Sequence, residues 1–65
     1  MTMTREQAED MTHELFDFAR SIGAERKIYQ GKLQTIKFVR AASGLGLKEA
    51  TQVVEKVTTE RGSRN

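Results

Sequence analysis

The sequence predicts an all-α fold, in which an amphipathic N-terminal helix precedes a helical hairpin, three helices in total. Apolar residues recur every three or four positions through most of the chain, which is the period of a helix, and no segment alternates as a strand would. Proline is absent, so the glycines are the strongest signals for helix ends. They fall at positions 23, 31, 44, 46 and 62.

The first predicted helix covers residues 5–22. Thr4 is a suitable N-cap, and Gln7 three residues later completes the pattern of a capping box. Acidic residues follow directly, where the helix dipole favours negative charge. The apolar residues form a narrow seam with alternating spacings of three and four, which is typical of a helix that packs on another helix. The members of this seam are Ala8, Met11, Leu15, Phe18 and Ile22.

Residues 24–31 support two interpretations. Ile28 and Tyr29 are apolar but adjacent, so they do not mark one face of a helix. The segment is either a bent or broken continuation of the first helix or a plain connection, and the sequence favours the first interpretation.

The hairpin is predicted from residues 32–43 and 47–60, with the turn at Gly44-Leu45-Gly46 and a stop at Gly62. Each of the two helices has an apolar stripe at helical spacing. The stripe of the second helix comprises Leu33, Ile36, Val39 and Ala42, widened by Phe38 and Ala41. The stripe of the third helix comprises Leu47, Ala50, Val53, Val54 and Val57.

The length of 65 residues predicts one domain: a disordered start at residues 1–4, a helical body at residues 5–60 and a tail at residues 61–65. A core of this size rarely supplies more than about 3–5 kcal/mol, so such domains often need disulfides, metals or a partner chain. Cysteine is absent, which excludes disulfides and thiolate metal sites. Self-association as a homodimer through the first helix is therefore expected.

Neither a targeting segment nor a membrane span is recognisable. The longest uninterrupted apolar runs are two residues, far below the roughly 20 that a membrane helix needs. The N-terminus has no apolar signal core. A cytoplasmic protein is expected.

Charge is divided unevenly along the chain, although the net charge is only +2. Residues 1–22 hold two basic and five acidic residues, whereas residues 23–65 hold nine basic and four acidic residues. The first part is therefore at −3 and the second at +5. This division indicates either pairing between the two parts or between chains, or simply two solvated helix faces.

The sequence has no pattern of a catalytic or metal site. His13 is the only histidine, and its place on the first helix, away from the seam, predicts an exposed surface residue. Asp10 and His13 have a spacing found in di-metal bundles, but no second pair exists. Gly44-Leu45-Gly46 lacks the Lys-Ser/Thr pair of a phosphate loop. A non-enzymatic protein without a cofactor or metal is expected.

Four cations, Lys32, Lys37, Arg40 and Lys48, gather on the second helix and the start of the third. In a helix-turn-helix arrangement such cations would contact nucleic-acid phosphates. The third helix, however, carries acidic residues and few side chains suited to reading bases. A nucleic-acid or transcription-associated regulator is therefore the alternative function, with nucleic acid a less favoured partner than protein.

A sequence motif in residues 32–55 points to a known family. Gly44 to Ala50 read G-L-G-L-K-E-A, and Ile36 to Arg40 read I-K-F-V-R. The segment closely resembles the helix–turn–helix part of the C-terminal domain of the bacterial ribosomal stalk protein, the L-seven/L-twelve family. The resemblance covers 24 of the 65 residues.

In that family the helical pair docks translational GTPases, so the resemblance implies a protein partner of this class or another host factor. The positions that the resemblance implies for contact are Leu33, Ile36, Lys37, Arg40, Gly46 and Leu47. Lys48, from the basic cluster, completes the predicted partner-binding set.

The chain also departs from the family pattern. Thr51 stands where family members carry a lysine of the docking face, and Ser43 replaces a threonine. The family domain opens with a strand and closes with a further helix and strand, for which this chain has no room, so the full α/β domain is not expected. The motif also looks like one in small stand-alone proteins of bacteria and their phages.

Two interpretations of the motif therefore remain open. It is either a partner-binding surface or shared scaffolding, in which Leu33, Ile36, Leu47 and Val54 form the hairpin's own core. The favoured hypothesis is a small protein-binding module of a bacterium or phage, which occupies a partner surface through its helical hairpin.

Overall fold

A computed structural model describes residues 2–62 of the chain, and within this range the fold consists of helices without strands. The helices are α1 (Arg5–Ser21), α2 (Glu25–Gln30), α3 (Lys32–Ser43) and α4 (Leu47–Gly62). The predicted all-α fold class is confirmed, whereas the predicted total of three helices is wrong, because residues 2–62 contain four. Residues 24–31 contain the short helix α2, so the predicted broken continuation of the first helix is confirmed and the plain connection is wrong. None of the helices described is long and apolar enough to cross a membrane.

Hydrogen bonds at both ends define α1. The hydroxyl of Thr4 accepts from the amide of Gln7 at 3.1 Å, and the amide of Thr4 donates to the side chain of Gln7 at 3.0 Å. This is the predicted capping box. At the other end Gly23 has a φ of 73°, and the amide of Ala24 donates to the carbonyl of Ala19 at 2.8 Å. This Schellman arrangement separates α1 from α2.

The core lies where α1, α3 and α4 meet. One cluster joins α1 to both helices of the hairpin. Its members are Ala8, Ile36, Val39, Leu45, Ala50, Val53 and Val54, with Met11 packed against them. Glu9 of α1 meets Lys56 of α4, and four residues further along each helix His13 meets Glu60, so α1 and α4 run in the same direction. α3 and α4 form the predicted antiparallel hairpin.

The buried face of α1 differs from the predicted seam. The buried residues are Ala8, Thr12, Phe16 and Ala19. Phe18 and Ile22, two of the predicted seam residues, are 63% and 61% exposed. Thr12 can lie in this buried face because its hydroxyl donates to the carbonyl of Ala8 at 2.7 Å, which removes the cost of an unpaired polar group. The predicted seam is therefore wrong at these two positions.

The apolar stripes of α3 and α4 are also narrower than predicted. Ile36, Val39 and the predicted α4 stripe from Ala50 onward are buried, whereas Leu33, Phe38 and Leu47 are exposed. Ala41 and Ala42 are exposed as well. Thr35 and Ser43 take places in the buried face of α3. The interpretation in which Leu33 and Leu47 belong to the hairpin's own core does not describe this structure.

The chain ends differ from their predicted boundaries. α4 continues through Arg61 and Gly62, two residues beyond the predicted helix. In the segment predicted as a disordered start, the amide of Met3 donates to the carbonyl of Ser43 at 2.8 Å, and Thr4 caps α1. Met1 and residues 63–65 of the predicted tail lie outside the described residues.

Candidate functional site

The corner between α3 and α4 is built by Ser43, Gly44 and Leu45. Gly44 has a φ of 78°, a left-handed conformation that costs other residues free energy, and its amide closes α3 by donating to the carbonyl of Arg40 at 3.1 Å. The amide of Leu45 donates to the buried hydroxyl of Ser43 at 3.1 Å, and the Leu45 side chain is buried in the core. The corner is therefore fixed from below, while its outer side faces solvent.

On the outer side, α3 exposes one face that combines an apolar side chain with two cations. Leu33, Lys37 and Arg40 are exposed and are spaced four and three residues apart, so they share a face. Leu33 is 61% exposed, although exposure of a leucine is normally disfavoured. Across the corner, Leu47 is 52% exposed at the start of α4.

Lys37 and Arg40 of this face also line an open groove at the corner. Its lining is provided by Lys37, Arg40, Ala41, Gly44, Leu45 and Gly46. We call the exposed set around this groove the corner surface. It comprises Leu33, Lys37, Arg40, Gly46, Leu47 and Lys48. Six of the seven residues predicted from the sequence are therefore exposed on α3, on the corner or on the first turn of α4.

Ile36 is the seventh predicted residue, and the structure places it elsewhere. Its side chain is only 8% exposed and belongs to the core cluster with Val39 and Val54. Ile36 therefore supports the corner surface from inside, because it anchors the turn of α3 that carries Lys37 and Arg40. Leu33 and Leu47, by contrast, are more than half exposed.

The cations of the corner surface are not engaged by the fold. Within residues 2–62 the ion pairs are Lys56–Glu9 and Arg61–Asp17, beside a hydrogen bond between His13 and Glu60, and none of these contacts involves Lys37, Arg40 or Lys48. Lys37 and Arg40 stand three residues apart on one helix, where like charges repel modestly. These cations therefore have no ion-pair partner within the described residues, and carboxylates of another molecule beside them would remove the repulsion.

A second cluster, at the other end of the molecule, is one that sequence reasoning missed. Arg61 donates to Asp17 at 2.6 Å and to Nδ1 of His13 at 3.1 Å. Its guanidinium carbon lies 5.5 Å from the ring centroid of Phe16, a cation–π contact. The ring of Phe16 meets Tyr29 edge to face at 5.3 Å. We call these five residues the Arg61 cluster.

The Arg61 cluster changes the interpretation of His13. Its side chain is half-buried and not, as predicted, a fully exposed surface group. Because an arginine N–H donates to Nδ1, the neutral tautomer carries its proton on Nε2, which lies 3.2 Å from the carboxylate of Glu60. Groups of three or more metal-binding side chains do not occur within residues 2–62. The cluster links α1 to the end of α4 and so stabilises the fold.

The cluster had a weak sequence signal. Glu9, His13 and Asp17 are four residues apart and so share a side of α1, and the later part of the chain is basic. That combination indicates ion pairs between α1 and another helix. It does not tell which cations take part, since Lys37 and Arg61 were equally available in the sequence.

Comparison with known proteins gives one match. The family model of the ribosomal protein L7/L12 C-terminal domain matches residues 21–60, which include α2, α3, the corner and most of α4. No curated protein and no solved structure gives a significant match. Most of α1, including the capping box and Phe16, lies outside the matched segment. Because the match covers more than half of the chain, the protein belongs to the ribosomal protein L7/L12 C-terminal domain family.

Proposed function

We propose that this chain is a small non-enzymatic protein-binding module that occupies a partner through its corner surface. A translational GTPase is the partner class that the sequence motif favours. The observation that carries the proposal is the pair of exposed cations, Lys37 and Arg40, which lack ion-pair partners within residues 2–62 and stand beside exposed Leu33.

The corner surface suits one kind of partner chemistry. Two exposed leucines, Leu33 and Leu47, offer apolar contact, and Lys37 and Arg40 offer positive charge beside them. A partner helix with aliphatic side chains and carboxylates at helical spacing would bury the leucines and pair the cations. Burial of the leucines would supply affinity, and the charges would select the partner and speed its approach.

The corner is also rigid enough to present such a surface. Leu45 and Ser43 are buried directly below it, and the amide of Leu45 is bonded to the Ser43 hydroxyl. A preformed surface loses little conformational freedom on binding, which favours affinity in a module this small.

The test is a titration of the purified chain, fluorescently labelled, with a purified bacterial translational GTPase. We expect Lys37→Glu and Arg40→Glu each to weaken binding about tenfold or more, because each replaces an attraction by a repulsion in the interface. Both side chains are exposed, so thermal unfolding should change little.

Two control variants accompany this titration. Arg26→Glu makes the same charge change on the exposed side of α2, outside the corner surface, and should leave binding nearly unchanged. His13→Ala alters the Arg61 cluster and should affect stability more than binding. The proposal fails if the wild-type chain does not bind, or if Arg26→Glu weakens binding as much as Arg40→Glu does.

Nucleic acid remains the alternative partner, because the exposed cations Lys37, Arg40 and Lys48 could also contact phosphates. Exposed Glu49 and Glu55 on α4 oppose it, since they add negative charge to the helix that would enter a groove. A labelled duplex DNA in the same titration decides the matter. Binding to DNA that weakens steeply with salt, without binding to the GTPase, would favour the alternative.

A further inference from the structure

α1 carries an outward row that combines acidic and apolar side chains. Asp10, Glu14 and Phe18 follow each other at intervals of four residues, so they lie along one ridge of α1, and Ile22, the C-cap residue, continues the spacing. Asp10 and Glu14 are exposed, and Phe18 and Ile22 are among the most exposed large apolar residues of the described chain. We call these four residues the α1 row.

The acidic members of the α1 row are not used by the fold. Within residues 2–62 the carboxylates of α1 that accept from a cation in an ion pair are those of Glu9 and Asp17. Asp10 and Glu14 make none of the ion pairs in this range. The fold therefore leaves one acidic surface on α1 and one basic surface at the corner, both beside exposed apolar side chains.

The two surfaces match in order and spacing when the helices run in opposite directions. Along α3 the order is Leu33, Lys37 and Arg40. Along α1, taken in reverse, it is Phe18, Glu14 and Asp10. Four residues of helix rise about 6 Å and three rise about 4.5 Å, so the second charge pair is offset by only about 1.5 Å. The flexible stems of arginine and aspartate accommodate such an offset.

We propose that the corner surface also binds the α1 row of a second copy of this chain, in antiparallel orientation. Phe18 then covers Leu33, Glu14 pairs with Lys37, and Asp10 pairs with Arg40. This inference rests on the proposed function, because it names a further occupant of the same surface. Self-association therefore competes with binding of the GTPase partner.

The symmetry of this contact depends on where its two surfaces, the α1 row and the corner surface, lie on each copy. The α1 row and the corner surface are different patches of each copy, so the contact is heterologous, and each added copy leaves one patch free at either end. Mass should therefore grow with concentration until the rotation between successive copies closes a ring, or without limit if it does not close. The charged contacts are solvent-exposed, so the association is weak and salt shortens its range.

Sedimentation velocity over a wide concentration range, in low and in high salt, tests the proposal. We expect the average mass of the wild-type chain to rise with concentration in low salt and to fall back in high salt. Two variants reverse the charges: the acid-reversed chain carries Asp10→Lys and Glu14→Lys, and the base-reversed chain carries Lys37→Glu and Arg40→Glu. In each of them the association constant should fall about tenfold or more.

Mixing the two reversed chains gives the sharpest result. Alone, each chain presents like charges on both surfaces, but together the corner surface of one faces the complementary α1 row of the other. The mixture should regain the association that each chain lost. A matched control, Glu49→Lys with Glu55→Lys, changes two exposed carboxylates on α4 and should leave the wild-type association in place.

The proposal is overturned if the wild-type chain stays monomeric at every concentration in low salt, if the α4 control loses association equally, or if the mixture stays monomeric. Circular dichroism confirms that the reversed chains fold. The acid-reversed chain also separates this inference from the proposed function, because its corner surface is intact. If it binds the GTPase while the wild-type chain is monomeric, the self-association alone fails. Self-association without GTPase binding contradicts only the proposed function.

Discussion

Arg40 and Arg61 occupy equivalent places in their helices, yet the structure uses them differently. Each lies in the last turn of its helix, where the dipole favours a positive charge. The side chain of Arg61 is only 16% exposed, and it contacts Asp17, His13 and the ring of Phe16. Arg40 is exposed at the edge of the corner groove and makes none of the ion pairs within residues 2–62.

The difference comes from what faces each arginine. The carboxylates of Glu9 and Asp17 lie on the side of α1 that meets α4, so Lys56 and Arg61 of α4 are paired within the fold. The outer face of α3 has no such neighbour. Charges of the Arg61 cluster therefore serve the fold, whereas Lys37 and Arg40 make no ion pair within residues 2–62, as the proposed binding role requires. Substitutions in the two regions should accordingly separate stability from binding.

The largest difference in the loss of unfolding free energy on substitution by alanine is expected between Phe16 and Leu33. Phe16 is fully buried at the centre of the Arg61 cluster, so Phe16→Ala should cost about 3–5 kcal/mol. That is as much as a core of this size supplies, so the variant should be largely unfolded at 25 °C. Urea denaturation followed by circular dichroism measures the loss.

Leu33→Ala provides the matched case at the corner surface. It should change the free energy of unfolding by no more than about 0.5 kcal/mol, because the side chain is mostly exposed, and it should weaken GTPase binding. A loss of stability at Leu33 as large as that at Phe16 would contradict the division between the two regions.

A smaller contrast is expected between the two glycines of the corner. Gly44 has a positive φ, so Gly44→Ala should destabilise the chain by about 1–2 kcal/mol. Gly46 does not have a positive φ, and a Cβ there would meet nothing within 4 Å. Gly46→Ala should therefore keep or slightly raise the melting temperature.

The same pair of variants also tests the corner surface. The methyl group added at Gly46 would project at the lining of the groove, so Gly46→Ala should weaken GTPase binding without destabilising the chain. If Gly46→Ala melts at the lower temperature of the two, the corner has a different backbone from the one described.

The smallest contrast is expected between the two arginines themselves. Arg61→Met keeps apolar contact with Phe16 but loses the ion pair and the cation–π contact, a net cost of about 1 kcal/mol. The cost is reduced because Nε of Arg61 is buried without a hydrogen-bond partner within the described residues. Arg40→Met should shift stability by less than about 0.5 kcal/mol. An increase in the stability of Arg61→Met would show that the unpaired Nε outweighs the contacts.

Local signals in the sequence predicted the helix ends well. The capping box at Thr4 and Gln7 and the left-handed Gly44 depend on residues close in sequence, so they could be predicted from it. The predicted bounds of α3, residues 32–43, agree with the structure. The corner residues of the predicted site, except Ile36, are exposed as a docking surface requires.

The sequence could not predict which of two apolar faces of α1 is buried. Leu15 and Phe16 are adjacent, as are Phe18 and Ala19, so two overlapping apolar faces fit the same helix. Tyr29 and Arg61 select the face that contains Phe16, and both belong to other helices. The burial of Ile36 agrees with its place in the predicted apolar stripe of α3, and its cluster also includes Ala8 of α1. Only the assignment of Ile36 to the partner-binding set disagrees with its burial.

The hydrogen bond from the amide of Met3 to the carbonyl of Ser43 has a practical consequence for experiments on this protein. It ties Met3 to the residue just before Gly44, which lines the groove, so a fluorophore attached at Thr2 would lie close to the groove. Such a label would crowd the proposed docking surface and mimic a loss of affinity. A label at exposed Gln30 on α2 avoids this contact, and a comparison of the two placements would show how strongly the segment before α1 affects binding.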